Sequence, residues 1–363
     1  MSSSLVKKIG EWLRKISHHQ IEEAESLRAE IEDEMRFASV EKQERAYFDL
    51  VYFKHQLIAG EIVNQPERQL SMANNLDQTM KDTNHTLQYL YHYMEGIVHT
   101  STENYAMALK HFTTAEKQLG FLNEYEQAEF YFRQANVYYR IDQNITALNY
   151  VNEAYETFKN SDVHVIMQIN CLIIKGGIYS ESGSYDKANE YFSYALKKAA
   201  PHAYYKSLVL RGIALNDYRY GLLERAEKGF KASLVEAKNK STNVEIKTKY
   251  NLANTYLRQG HNDLGEPLIA EVESIIEKQE CSLNEYKAKC LISRGLYFNR
   301  IVDNELIEKG LDILQSRCLL FEKSEMATEV YNYYKSIDDY QKAVHYLEVS
   351  SKSKQGDILM VGR

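Results

Sequence analysis

A chain of 363 residues, 44% hydrophobic and 26% charged, is ordinary for a folded protein and leaves room for two or three domains or one long repeat array. Only 3 Pro and 16 Gly are available for turns, which argues against many short strands and for long helices with short connections. The formal charge of −7 disfavours direct contact with a nucleic-acid backbone and suits a basic peptide or a basic protein surface.

Residues 1–62 read as three helices, over 5–17, 19–37 and 41–61. The first carries Leu5, Ile9, Trp12, Leu13 and Ile16 on one stripe, which reads as a packing face rather than a membrane surface. The second is strongly charged, with Ile21, Ala24, Leu27 and Ile31 at helical spacing and a solvated opposite face. This region holds 9 Lys/Arg against 12 Asp/Glu and lacks a helix-turn-helix pattern, so it is not expected to read DNA. Residues 63–85 include Pro66 and many polar residues, and form the expected linker.

From residue 86 onward the chain repeats. The pattern Ala-x3-Phe-x2-Ala, in which small residues let two helices approach closely, occurs at Ala108, Phe112, Ala115 and again at Ala188, Phe192, Ala195. Looser copies begin at Ala147, Ala226, Gly265 and Ala343. The first positions are spaced by 39, 41, 38, 39 and 78 residues, and the last step spans one degenerate unit. Twelve residues before the markers stand Gly96, Ala135, Gly176, Ala214 and Ala253. This is the signature of a tetratricopeptide-like array with helices longer than the usual period of about 34 residues provides. The expected fold is all-α, with an N-terminal three-helix bundle at 1–62, a linker at 63–85, and at 86–363 a right-handed superhelix of about seven helix pairs.

Chemistry is sparse. No HExxH, no phosphate-binding glycine loop and no nucleophile elbow occurs. Cys171, Cys281, Cys290 and Cys318 lack CxxC spacing, so neither a zinc site nor a redox dithiol is expected, and no cofactor or metal is implied. No apolar run is long enough to span a bilayer and no signal peptide is evident, which leads to the expectation of a cytoplasmic protein with reduced thiols.

Several landmarks taken together resemble the Rap proteins of bacilli. These are Glu11-Trp12 with Ile16, the acidic second helix with Ala24-Glu25, Glu30 and Glu34, and Phe53-Lys54-His55 beside the family's Phe-Arg-His. Further along come YEQAEFYF at 125–132, LQSRCLL at 314–320 and YNYY at 331–334. The resemblance runs along nearly the whole chain. It implies an intracellular quorum-sensing regulator whose bundle grips a partner regulator through Glu41, Gln43, Phe53 and His55. A short imported signalling peptide, bound in the repeat groove, releases that partner.

Some members are phosphatases of sporulation response regulators, acting through a glutamine at the position of Gln43. The family stretch is roughly Glu-Glu-Asp/Asn-Gln-Asp; here it is Glu41-Lys42-Gln43-Glu44, one residue closer to Phe53 than expected. One residue turns a helix face by about 100°. The expectation is therefore a non-enzymatic member that sequesters a transcription regulator, as anti-repressors of conjugative elements do, with phosphatase action through Gln43 as the alternative. In the groove, Asn136, Asn251 and Asn254 can pair with a peptide backbone, Arg211 with a carboxylate and Glu181 with a basic side chain. Gly212 and Ile178 stand near positions where family asparagines are expected, so the peptide should differ from those of better-known members. A homodimer whose assembly changes with peptide is the expected oligomer.

Overall fold

Seventeen α-helices and no strand occur among the residues described in the computed structural model, namely 4–17, 20–37, 39–59, 85–237, 243–278, 283–298 and 301–359. The fold is the expected all-α one. The expected linker therefore lies, but for His85, outside the described residues. By backbone proximity the chain forms two compact units: Met1–Gln134 with Tyr150–Gln168, and Ala135–Asn149 with Ile169–Arg363.

The first unit begins with α1 (Ser4–Ser17), α2 (Ile21–Phe37) and α3 (Lys42–Ala59). Leu5, Ile9, Trp12 and Ile16 recur at helical spacing and are buried. Trp12 lies 5.3 Å from the Phe48 ring and donates its indole N–H to His55 Nδ1 at 3.2 Å. α2 buries only Ala24 and Ile31. Its charges are tied to α1 by Lys8 with Glu30 and Glu34, at 2.6 and 2.8 Å, and by Lys15 with Glu23. These pairs are half-exposed, so each contributes little to stability. α3 packs on α4 (His85–Ser101), which pairs with α5 (Tyr105–Glu116).

The remaining pairs are α6 (Glu124–Arg140) with α7 (Asn144–Phe158), α8 (Val165–Glu181) with α9 (Tyr185–Ala199), and α10 (Ala203–Arg219) with α11 (Leu223–Ala237). They continue with α12 (Asn243–Arg258) and α13 (Asn262–Lys278), α14 (Asn284–Tyr297) and α15 (Asn304–Ser316), then α16 (Leu320–Ser336) and α17 (Tyr340–Leu359). With α4 and α5 this makes seven pairs, a helical-repeat array.

Among the described residues, one backbone device ends the first helix in six of the seven pairs. Glu103, Asp142, Gly183, Gly221, Gly260 and Asp338 all have φ between 57° and 82°. The next residue sends its N–H back to a carbonyl five positions earlier, as in Asn104 to His99, Ser184 to Tyr179 and Asp339 to Tyr334. Each left-handed residue stands five before a marker, so the turn and the marker share one period. The marker then buries the second helix: Ala108, Ala147, Ala188 and Ala226 are fully buried. Gly96 explains the small residue twelve before the marker, since a Cβ there would come within 2.5 Å of the Phe112 ring.

Asp162–Glu181, which includes α8, is long and apolar enough to cross a bilayer, contrary to expectation. Most of it is buried among neighbouring helices, with Ile169, Cys171 and Leu172 at 0–1% exposure, as in the core helix of a repeat stack.

Candidate functional site

Successive first helices of the second unit wall a cavity of about 420 Å3. α8 contributes Ser180 and Glu181, α10 Tyr218 and Arg219, α12 Asn251, Asn254 and Arg258, α14 Lys289, and α16 Glu325 and Glu329. Three carboxylates and three cations thus share a lining that also carries Tyr218, Tyr220, Tyr250 and Phe321.

Glu329 collects one wall. It accepts hydrogen bonds from Asn254 Nδ2 at 3.0 Å, Tyr218 at 3.2 Å and Tyr297 at 3.0 Å. Asn254 Nδ2 also reaches Tyr218 Oη at 2.7 Å, and Arg258 lies 4.4 Å over the Tyr218 ring. On the other wall Arg219 donates to Glu325 at 2.7 Å, Ser180 at 3.1 Å and Glu181 at 3.4 Å. Glu181 also accepts from the Tyr139 hydroxyl at 2.6 Å. Burial pushes the Glu181 carboxyl up to about 8, against the pull of Arg219 and Tyr139 and with a further push from Glu322 and Glu325. Near neutral pH it is a hydrogen-bonding acid rather than a free charge for a basic ligand.

Behind this wall Arg140 bridges Glu285 at 2.7 Å and Glu322 at 3.0 Å, while Lys289 holds Glu285 at 2.7 Å. Burial opposes ionisation of Glu285, but Lys289 and Arg140 together hold its carboxyl well below the usual range. Asp142 accepts the N–H of Phe321 at 2.6 Å and so caps the start of α16.

Asn251 is different. It is 7% exposed and lines the cavity, yet its Nδ2 has no hydrogen-bond partner. Asn254, Asn251 and Glu181 are thus brought together as the sequence suggested. Asn136, half-buried on α6, and Arg211, bonded to the Tyr286 hydroxyl at 2.6 Å, do not line the cavity.

Sequence reasoning missed Arg219, Arg258 and Glu329, although the repeat could have found them. Seven residues before the markers stand Arg140, Glu181, Arg219 and Arg258, one charged residue per pair. Fourteen before the markers, Asn251 and Glu329 occupy equivalent places; eleven before, so do Asn254 and Asn332.

In the first unit Glu41 is exposed just ahead of α3, and its N–H is bonded by Glu44 Oε2 at 3.1 Å, as in a capping box. Gln43 is half-exposed in the first turn of α3. Phe53 and His55, at 3% and 4% exposure, lie inside the bundle instead of on its surface. Packing claims them because α3 contacts both α1 and α4. Lys54 is buried as well, 3.3 Å from Glu126 and 3.9 Å from Glu129.

A family model described as response regulator aspartate phosphatase H, N terminal, matches residues 1–59. The response regulator aspartate phosphatase I of Bacillus subtilis (strain 168) is 25% identical over 380 residues, covering 98% of this chain and 93% of that protein. Residues 1–59 thus match the N-terminal domain of the Rap family, and the chain is similar to Rap proteins along nearly its whole length. A crystal structure of a Rap protein complexed with competence and sporulation factor superposes with a TM-score of 0.89 at 22% identity, covering 98% of this chain and 99% of that one. This likeness bears on the fold, which the two chains share. The chain is also 30% identical over 344 residues to the type II methyltransferase M.CeqI of Rhodococcus hoagii, covering 94% of this chain. It spans 66% of that protein's length. The aligned region is helical here, and among the described residues no strand exists from which a nucleotide-binding α/β sheet could be built.

Proposed function

We propose that this chain is a peptide-gated regulator that binds and inactivates a partner protein by sequestration. The unpartnered amide of Asn251 in the cavity carries this reading. A buried donor without an acceptor costs about 1–3 kcal/mol, and a peptide carbonyl is the acceptor that relieves it whatever the peptide's side chains. The cavity volume falls within the range of small-ligand sites. The relative crystallised with competence and sporulation factor supports the same ligand class.

The partner-facing surface in this reading is the start of α3, with Glu41 and Gln43. Phe53 and His55 act from inside by holding α3 against α1 and Trp12. A peptide releases the partner only by binding one arrangement of the protein more tightly than another. The test is titration of purified protein with the short peptide encoded beside its gene, with Asn251→Ala alongside. Saturable binding that weakens at least tenfold in the variant supports the reading; equal binding by both proteins removes it.

A second reading, aspartyl-phosphate phosphatase, is favoured by the half-exposed Gln43 and by the name of the matching family model. A glutamine amide can orient water in line with a phosphoryl group. Lys42, where the family has an acidic or amide residue, argues against it.

A further inference from the structure

Among the described residues, a cluster of metal-binding side chains outside the groove and the bundle lies between α4 and α5. His92, Glu95 and His99 occupy one stripe of α4, at intervals of three and four residues. His111 comes from α5, and its ring lies between two of them, with centroids 5.2 Å from His92 and 5.4 Å from His99. One donor atom each from Glu95, His99 and His111 lies within 4.8 Å of the other two. Glu95 Oε2 is 3.6 Å from His99 Nε2. Tetrahedral zinc with bonds of about 2.0–2.1 Å separates its ligand atoms by roughly 3.3 Å, so modest side-chain rotation closes the set.

We infer that Glu95, His99 and His111 form a site for a divalent transition-metal ion of the zinc class. Two imidazoles and one carboxylate select zinc-like ions over magnesium or calcium, which favour all-oxygen shells. Glu95 is 7% exposed and the histidines are half-buried, so the carboxylate sits deep and the imidazoles leave an entry path. His92 is a positioning residue. Its Nδ1 stands 3.1 Å from His111 Nδ1, and by accepting that proton it fixes the tautomer in which His111 coordinates through Nε2. Water completes the tetrahedron. Bound metal links α4 to α5 and thereby staples the first repeat.

The test uses tag-free full-length protein, stripped with chelator and dialysed against zinc in excess magnesium, with bound metal measured by mass spectrometry. One zinc per chain is expected. His99→Ala and His111→Ala each weaken binding at least 100-fold in competition with a chromogenic chelator, and His92→Ala weakens it about 10–100-fold. His345→Ala, a change at an exposed histidine, leaves binding unaltered. Cobalt loading of the unmodified protein supplies a readout that needs no variant: the intense visible bands of a tetrahedral nitrogen–oxygen site are expected. Less than stoichiometric zinc, binding that survives both ligand substitutions, or a weak octahedral cobalt spectrum overturns the assignment and leaves a hydrogen-bonded histidine pair beside a carboxylate–imidazole contact.

Discussion

Replacing Glu181 with glutamine tests the electrostatics of the cavity directly. Its carboxyl titrates near 8 in the folded protein, against 4.5 as the ordinary value. Between those pH values the native state holds a proton that the unfolded chain has released, so stability falls as pH rises through the window. At 1.36 kcal/mol per pH unit, moving from about pH 5.5 to about 8 costs about 3 kcal/mol. Glutamine does not titrate, and the difference between variant and wild type cancels groups that titrate in both. E181Q should therefore gain about 3 kcal/mol on the wild type over that range and then level off. A gain of this size corresponds to roughly 6–12 °C of melting temperature for a unit of this length. Thermal unfolding followed by far-ultraviolet circular dichroism across the pH series reads it. Parallel curves for the two proteins over this range refute the reasoning, because Glu181 would then be ionised in the folded protein as in the unfolded chain.

Asn251→Leu removes a buried donor that has no partner in the ligand-free protein, so its melting temperature should stay within a few degrees of wild type while peptide affinity falls at least tenfold. A large loss of stability would mean that the amide is already satisfied. Gly96→Ala drives a Cβ to within 2.5 Å of the Phe112 ring, which is already held edge-on by Phe130 at 5.8 Å. Overpacking of about 1–3 kcal/mol outweighs the gain of about 1 kcal/mol in helix propensity, and chemical denaturation should show a net loss. Gln43→Ala should leave partner capture nearly intact in a pull-down; abolition of phosphate release from a phosphorylated response regulator would instead establish the catalytic reading.

The array was legible because its period is carried by residues that cannot be exchanged freely. The small markers Ala108, Ala147, Ala188 and Ala226 are fully buried, and the turn residue five before each is in the left-handed region. The bundle was legible for the same reason, through the stripe of Leu5, Ile9, Trp12 and Ile16. The site was less so. Arg140 meets Glu322 across 182 residues of chain, and that meeting depends on how far the stack advances per pair, which no single repeat encodes. Phe53 and His55 read as surface residues because the sequence does not show that α3 is covered on two sides. His92, Glu95 and His99 are visible at helical spacing, but only the turn before α5 brings His111 to them.

Trp12 is the chain's one tryptophan, and it sits in the bundle with its indole bonded to His55 and packed on Phe48, whereas the cavity wall carries three tyrosines and Phe321. Light at the red edge of the aromatic absorption band is taken up by the indole only, so emission excited there reports on the bundle and on nothing in the groove. Shorter wavelengths add all 29 tyrosines, those of the bundle included, so only the red-edge signal is confined to one region. The unmodified protein therefore carries one built-in reporter of the bundle. Comparing the indole time course after mixing with peptide against the rate of peptide capture would order the two events, groove filling and bundle rearrangement, without a substitution.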